Sequence, residues 1–122
     1  MNDKGRLGNV GEKLAASYLR KLGYKIIGKN FRCRLGEVDL IALEGDSLVF
    51  VEVKTRWSKS FGLPEEAVTF RKLKAIAKVG EYYRIVNEEK ELPESSRIDV
   101  VAIETDISGL PVRQELIKNA GS

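Results

Sequence analysis

The segment from Val38 to Lys54 constrains this chain more than any other. Two runs rich in Val, Ile, Leu and Phe flank Glu44-Gly45-Asp46-Ser47, and Gly45-Asp46 between such runs is a hairpin signal, so two antiparallel strands joined by a tight turn are expected. A two-residue turn fixes the register. It sets Glu44 opposite Ser47, Leu43 opposite Leu48, Ile41 opposite Phe50, Asp39 opposite Glu52 and Glu37 opposite Lys54. Side chains alternate along a strand, so Glu37, Asp39, Ile41 and Leu43 share a face with Leu48, Phe50, Glu52 and Lys54. The other face, Val38, Leu40, Ala42, Val49, Val51 and Val53, is wholly apolar. Strands apolar on both sides are usually central and covered by helices.

The charges gather at the end of this hairpin far from its turn. Opposed side chains have Cβ atoms roughly 5 Å apart, so Asp39 and Glu52, both ionised, would repel by about 3 kcal/mol at an effective dielectric of 20. That arrangement calls for a cation. Mg²⁺ or Mn²⁺ suits a site of two carboxylates, the backbone carbonyl of Val53 and waters, with Lys54 standing beside it. The competing explanation is a surface charge network in which Lys54 and nearby arginines neutralise the acids. Charges at the margin of an apolar core are costly unless paired or metal-bound, which favours the functional explanation.

Composition narrows the chemistry. The chain has 122 residues, 43% hydrophobic and 32% charged, enough for one globular domain spanning 1–122 with a real core. No apolar run approaches the roughly 20 residues that span a bilayer, and the N-terminal residues lack a signal-peptide core, so no membrane association and a cytoplasmic location are expected. With no histidine and one cysteine, His-based triads and the usual zinc ligand sets are excluded. Cys33 has no histidine partner and is expected to be a structural thiol. Any catalysis must therefore run on carboxylates, lysine and metal.

Net charge is only +3, a weak pointer to nucleic acid by itself. Its distribution says more. Arg32, Arg34, Arg56 and Lys59 bracket the hairpin, and Arg71, Lys74 and Lys78 share one face of a following helix. A solvated helix face would explain the second group alone; beside a metal-binding acid pair, contact with phosphates explains it better.

Along the chain, residues from about Asn9 to Leu22 read as a helix ended by Gly23, with Leu7, Val10, Leu14, Tyr18 and Leu22 in one stripe and Ala15, Ala16 and Leu19 in another. Glu12 lies on the second stripe and could face the core margin; equally, Asn9-Val10-Gly11-Glu12 resembles a capping box. A first strand is expected from Tyr24 to about Cys33, with Leu35-Gly36 turning into the hairpin. Thr55 to Leu63 reads as a loop in which Trp57 and Phe61 either stack on bases or anchor the chain, anchoring being the expectation. One broken helix or two consecutive ones follow from about 65 to 86, with Thr69 as a second cap and Leu73, Ile76, Ala77 and Tyr83 buried. Arg97 to Ile103 forms another strand, in which Asp99 is expected to pair with Arg97, and Val112 to Ile117 a weaker edge strand. The order is that of an α/β sandwich with a mixed sheet.

An αβββαβ order with an acid on one strand and Glu-x-Lys on the next resembles the restriction-endonuclease-like, or PD-(D/E)xK, nuclease superfamily. Gly36-Glu37-Val38-Asp39-Leu40-Ile41, then Phe50-Val51-Glu52-Val53-Lys54-Thr55-Arg56, with Asn30-Phe31-Arg32 before and Arg97-Ile98-Asp99-Val100-Val101 after, closely resembles the uncharacterised bacterial YraN-like proteins. The likeness covers nearly all of residues 5 to 103. The superfamily resemblance implies that Asp39 and Glu52 hold the metal and that Lys54 positions the attacking water or steadies charge on the phosphate. Archaeal Holliday-junction resolvases, similar in layout, imply a further glutamate from the first helix, which maps onto Glu12. Val38 stands where the motif has proline, a change the chemistry should tolerate because only the aspartate binds metal.

These readings lead to an expected Mg²⁺- or Mn²⁺-dependent hydrolysis of DNA phosphodiesters, on branched or duplex DNA and by endonuclease rather than exonuclease cutting. The alternative is a nucleic-acid-binding module with a vestigial acid cluster. Dimerisation through the final strand or the hairpin edge would suit two-strand cutting.

Overall fold

The computed structural model describes residues 3–58 and 62–121, so Lys59 and Phe61 lie outside the described residues. Helix α1 runs Asp3–Lys21, followed by strands β1 (Lys25–Cys33), β2 (Gly36–Glu44) and β3 (Ser47–Trp57), a 3₁₀ turn at Pro64–Ala67, helix α2 (Phe70–Val86), and strands β4 (Ser95–Thr105) and β5 (Pro111–Ile117). The strands form one mixed sheet in the order β1-β2-β3-β4-β5. Only β3 and β4 are parallel, because α2 carries the chain over the sheet between them; the other neighbours are antiparallel. This is the expected α/β architecture.

The central hairpin is covered on both faces. Leu40, Ala42, Val49 and Val51 pack with Val101 and Ile103 against Ala15, Ala16 and Leu19 of α1. Ile41, Leu48 and Phe50 pack against Ile76, Val79 and Tyr83 of α2. Each such side chain, fully buried, contributes about 1.5–3 kcal/mol, so the two layers rather than helix propensity hold both helices in place.

Three expectations need correction. Helix α1 begins at Asp3, six residues before Asn9, so Asn9 is inside the helix and the capping-box reading of Asn9 and Glu12 fails. Glycines at 5, 8 and 11 make that stretch look poor in helix propensity, yet packing decides: a Cβ on Gly11 would stand 1.9 Å from Thr55 Oγ1, so glycine is what lets α1 lie directly on β3. Ala77 is exposed, and Val79 and Gly80 take the buried place assigned to it; a Cβ on Gly80 would meet the Phe50 ring at 2.7 Å. The segment from 64 to 86 is two elements, and α2 is capped as expected by the Thr69 hydroxyl, which accepts the Lys72 N–H at 3.1 Å.

The third correction bears on the site. The hairpin follows the predicted register from Glu44–Ser47 to Leu40–Val51, and there the ladder ends. Beyond it the alternation breaks: Val38 joins Ile41 in the α2 layer while Leu40 stays in the α1 layer. Asn30, which the β1–β2 register places opposite Asp39, has a left-handed backbone with φ of 51°, a conformation that local side-chain hydrogen bonding lets asparagine adopt. Asp39 therefore sits at a twist in β2, where β2 and β3 part.

Candidate active site

Because the ladder stops at Leu40–Val51, the Val53 N–H finds no carbonyl on β2. The Asp39 carboxylate takes it instead, Oδ2 accepting at 2.8 Å. This bond satisfies a backbone donor and fixes the acid at the fork between the strands.

The fork opens on the α1 side into a cleft of about 340 Å³ lined by Leu7, Gly8, Glu12, Asp39, Val53, Lys54 and Thr55. The close seat of α1 at Gly11 carries Glu12 there. Its carboxyl pKa is raised, first by burial and then by the Asp39 charge, against the lowering effect of a hydrogen bond with Asn30. Asn30, which the sequence marks only through the family resemblance and not as a site residue, thus serves both the twist in β2 and the placing of Glu12.

Glu52 is not on the cleft wall. It lies behind it, 7% exposed, on the side of the sheet that carries Phe50 and α2. Burial, then the charge and hydrogen bond of Asp39, push its carboxyl up to about 8. The two acids are thus close enough to share a proton, although they are not ladder partners. The nearest cation is Lys72, whose ammonium stands 3.8 Å from Glu52 Oε2. Lys54 also lowers the Glu52 pKa through its charge, but with less effect than Lys72. Lys72 is the residue that sequence reading missed. Its signal was present: it stands four residues before the buried Ile76, so its stem lies on the same side of α2, although its ammonium, like those of Lys74 and Lys78, reaches solvent.

The remaining candidates are dispersed. Arg32 is exposed and pairs with Glu37 at 3.3 Å; Arg34 is exposed in the β1–β2 turn. Arg56 is half-buried, its Nε closed off from solvent with no hydrogen-bond partner among the described residues. Lys74 stands 5.2 Å over the Phe70 ring. Asp99 is fully buried on β4 beside Val51, accepting from Tyr24 Oη at 2.7 Å, Arg97 Nε at 3.0 Å and the Asn119 N–H at 3.0 Å, so it is the structural acid expected beside Arg97. Cys33 is partly buried against the α2 layer. Trp57, expected to anchor a loop, instead ends β3 with 42% of its surface exposed.

Two adjacent carboxyls, one of them resisting ionisation, fit a hard divalent ion, whose charge would favour the ionised pair beyond what Lys72 and Lys54 supply. Asp39, Glu52 and the Val53 carbonyl would hold it. Among the described residues, however, no three carboxylates are gathered into a ready metal cage.

With this geometry, the comparisons with known proteins become informative. The profile of the uncharacterised protein family UPF0102 matches residues 11–103. The chain belongs to that family. A UPF0102 protein of Caldicellulosiruptor saccharolyticus is 47% identical over 118 residues, covering 97% of this chain and 98% of its own length. One from Syntrophus aciditrophicus is 45% identical, covering 98% and 91%, and one from Caldanaerobacter subterraneus subsp. tengcongensis is 58% identical over 81 residues, covering 66% of each. In UPF0102 terms, the matched stretch takes in Glu12, Asp39, Glu52, Lys54 and Lys72 and ends before β5. Among the described residues no helix is long and apolar enough to cross a membrane.

Proposed function

We propose that this UPF0102 chain is a metal-dependent nuclease that hydrolyses DNA phosphodiester bonds, including those of branched or structured DNA. The observation that carries the reading is the buried Glu52 carboxyl held against Asp39 at a strand fork whose rim is Lys54. A protein gains no stability from forcing two acids together; such pairs are kept where a cation or a reaction uses them. Resemblance to the PD-(D/E)xK superfamily assigns the same three residues. When bound, Mg²⁺ or Mn²⁺ would supply Lewis acidity toward the phosphate and a more acidic water.

The chain's own groups do the rest. Asp39 is oriented by the Val53 N–H and lines the cleft. Lys54 on the rim places a fixed positive charge where negative charge develops on the phosphate. Glu12, with its pKa raised, is suited to exchange a proton beside it. Lys72 neutralises Glu52 from the opposite side.

The test uses near-isosteric variants, because Asp39→Ala would also orphan the Val53 N–H. Asp39→Asn, Glu52→Gln and Lys54→Met are each expected to lower Mn²⁺-dependent cleavage of a panel of structured DNAs by at least about 100-fold, with circular dichroism unchanged. Cleavage retained in all three would sink the proposal. A second reading, nucleic-acid binding without chemistry, is favoured by the lack of a three-carboxylate cage among the described residues. Calorimetry separates the two: salt-sensitive DNA binding with no Mn²⁺ uptake and no nicking would select the second.

A further inference from the structure

We propose that Trp57 is a stacking site for an unpaired nucleobase, so that the substrate is DNA carrying a single-stranded segment beside the cleft. The inference rests on the nucleic-acid reading above and specifies its substrate. Along β3 the side chains of Val53, Thr55 and Trp57 fall on the α1 face: Val53 packs in the α1 layer, Thr55 lies under Gly11, and alternation carries Trp57 the same way. Val53 and Thr55 line the acid cleft, and Trp57 follows Thr55 by two residues, about 7 Å along the strand. The indole thus continues the cleft wall a few nucleotides from the acids.

An indole 42% exposed at a strand end gives up burial it could have had. Its aromatic face suits a flat, apolar-faced ligand, and the Lys54 charge on the cleft rim suits the phosphate attached to it. Bases inside a closed duplex have both faces covered by their neighbours, so only an unpaired or splayed base can stack on this ring. An apolar protein segment is the other ligand such a surface could take, but the cleft that the indole extends carries Glu12, Asp39 and Lys54, which offer that segment little.

Trp57 is the chain's one tryptophan, so its emission reports the site directly. The full chain in EDTA would be titrated with an oligothymidylate, a blunt duplex and the same duplex with an unpaired tail, binding being followed in parallel by anisotropy of labelled DNA. The single strand and the tailed duplex are expected to quench Trp57, and the blunt duplex is not. Trp57→Ala should weaken binding of the tailed duplex by about 5- to 100-fold while Trp57→Phe retains most of it, both with unchanged circular dichroism. Unchanged emission at saturation, equal quenching by blunt duplex, wild-type affinity in Trp57→Ala, or no binding of any strand would each overturn the proposal. Quenching without metal-dependent cleavage of any DNA would uphold it and defeat the hydrolysis reading alone; cleavage without quenching would do the reverse.

Discussion

Glu52 carries the largest electrostatic cost at the site, and its sign can be worked out. Its pKa in the folded chain, about 8, lies above its ordinary value of 4.5 because burial and Asp39 oppose ionisation. Between those values the native state keeps a proton that the unfolded chain has lost. The native state is thus unpenalised below pH 4.5, loses stability as pH climbs toward 8, and loses no more beyond. At about 1.4 kcal/mol per unit the full effect reaches a few kcal/mol. Glu52→Gln should therefore match the wild type in urea melts near pH 4.5 and exceed its stability by a few kcal/mol above pH 8, with metal absent. A difference that does not change with pH would refute this account. The nearness of Asp39 and Glu52 was legible, because a two-residue turn and a period of two leave one register. The capture of the Val53 N–H by Asp39 was not, since it depends on a left-handed Asn30 on another strand.

At the scale of elements, the site exists because α1 can touch β3. Gly11 leaves room for the Thr55 side chain, and one turn of contact there brings Glu12 to Asp39. Gly11→Ala gains about 0.5–1 kcal/mol of helix propensity but puts a Cβ 1.9 Å from Thr55 Oγ1, so the helix must lift or Thr55 must turn. The net expectation is a loss of about 1–3 kcal/mol in denaturant melts and weaker cleavage, with Thr55→Ala in the same chain recovering part of each. Full stability and activity in Gly11→Ala would show that the approach is not needed. Strands and the turn at Gly45 were readable from alternation and local turn chemistry. The start of α1 was not, because Gly5, Gly8 and Gly11 lower the helix propensity of its first turns. The angle at which α2 crosses the sheet, which delivers Lys72 and not Arg71, is likewise a tertiary outcome.

Taken whole, the molecule separates two kinds of buried acid. Asp99 is bound by Tyr24, Arg97 and the Asn119 backbone, and Arg97 reaches on to Glu44 at 2.7 Å, so a closed network ties β1, β2, β4 and the C-terminal turn together. Its hydrogen bonds are made within the chain. Glu52, by contrast, is held against Asp39 with one lysine at 3.8 Å, and the cost of ionising it is the kind a bound cation removes. The two sites should respond oppositely to the same experiment. Asp99→Ala leaves Arg97 short of a buried partner and is expected to cost about 3–5 kcal/mol, while Mn²⁺ still raises its melting temperature. Asp39→Asn should lose that response, while its metal-free stability at pH 8 rises because the charge opposing Glu52 is gone. For the wild type at pH 8, Mn²⁺ at a hundred times its dissociation constant should add about 2.7 kcal/mol, read as a concentration-dependent shift in thermal melts. If Mn²⁺ shifts Asp39→Asn as much as the wild type, the ion is bound elsewhere, and the acid pair is a structural expense with no function behind it.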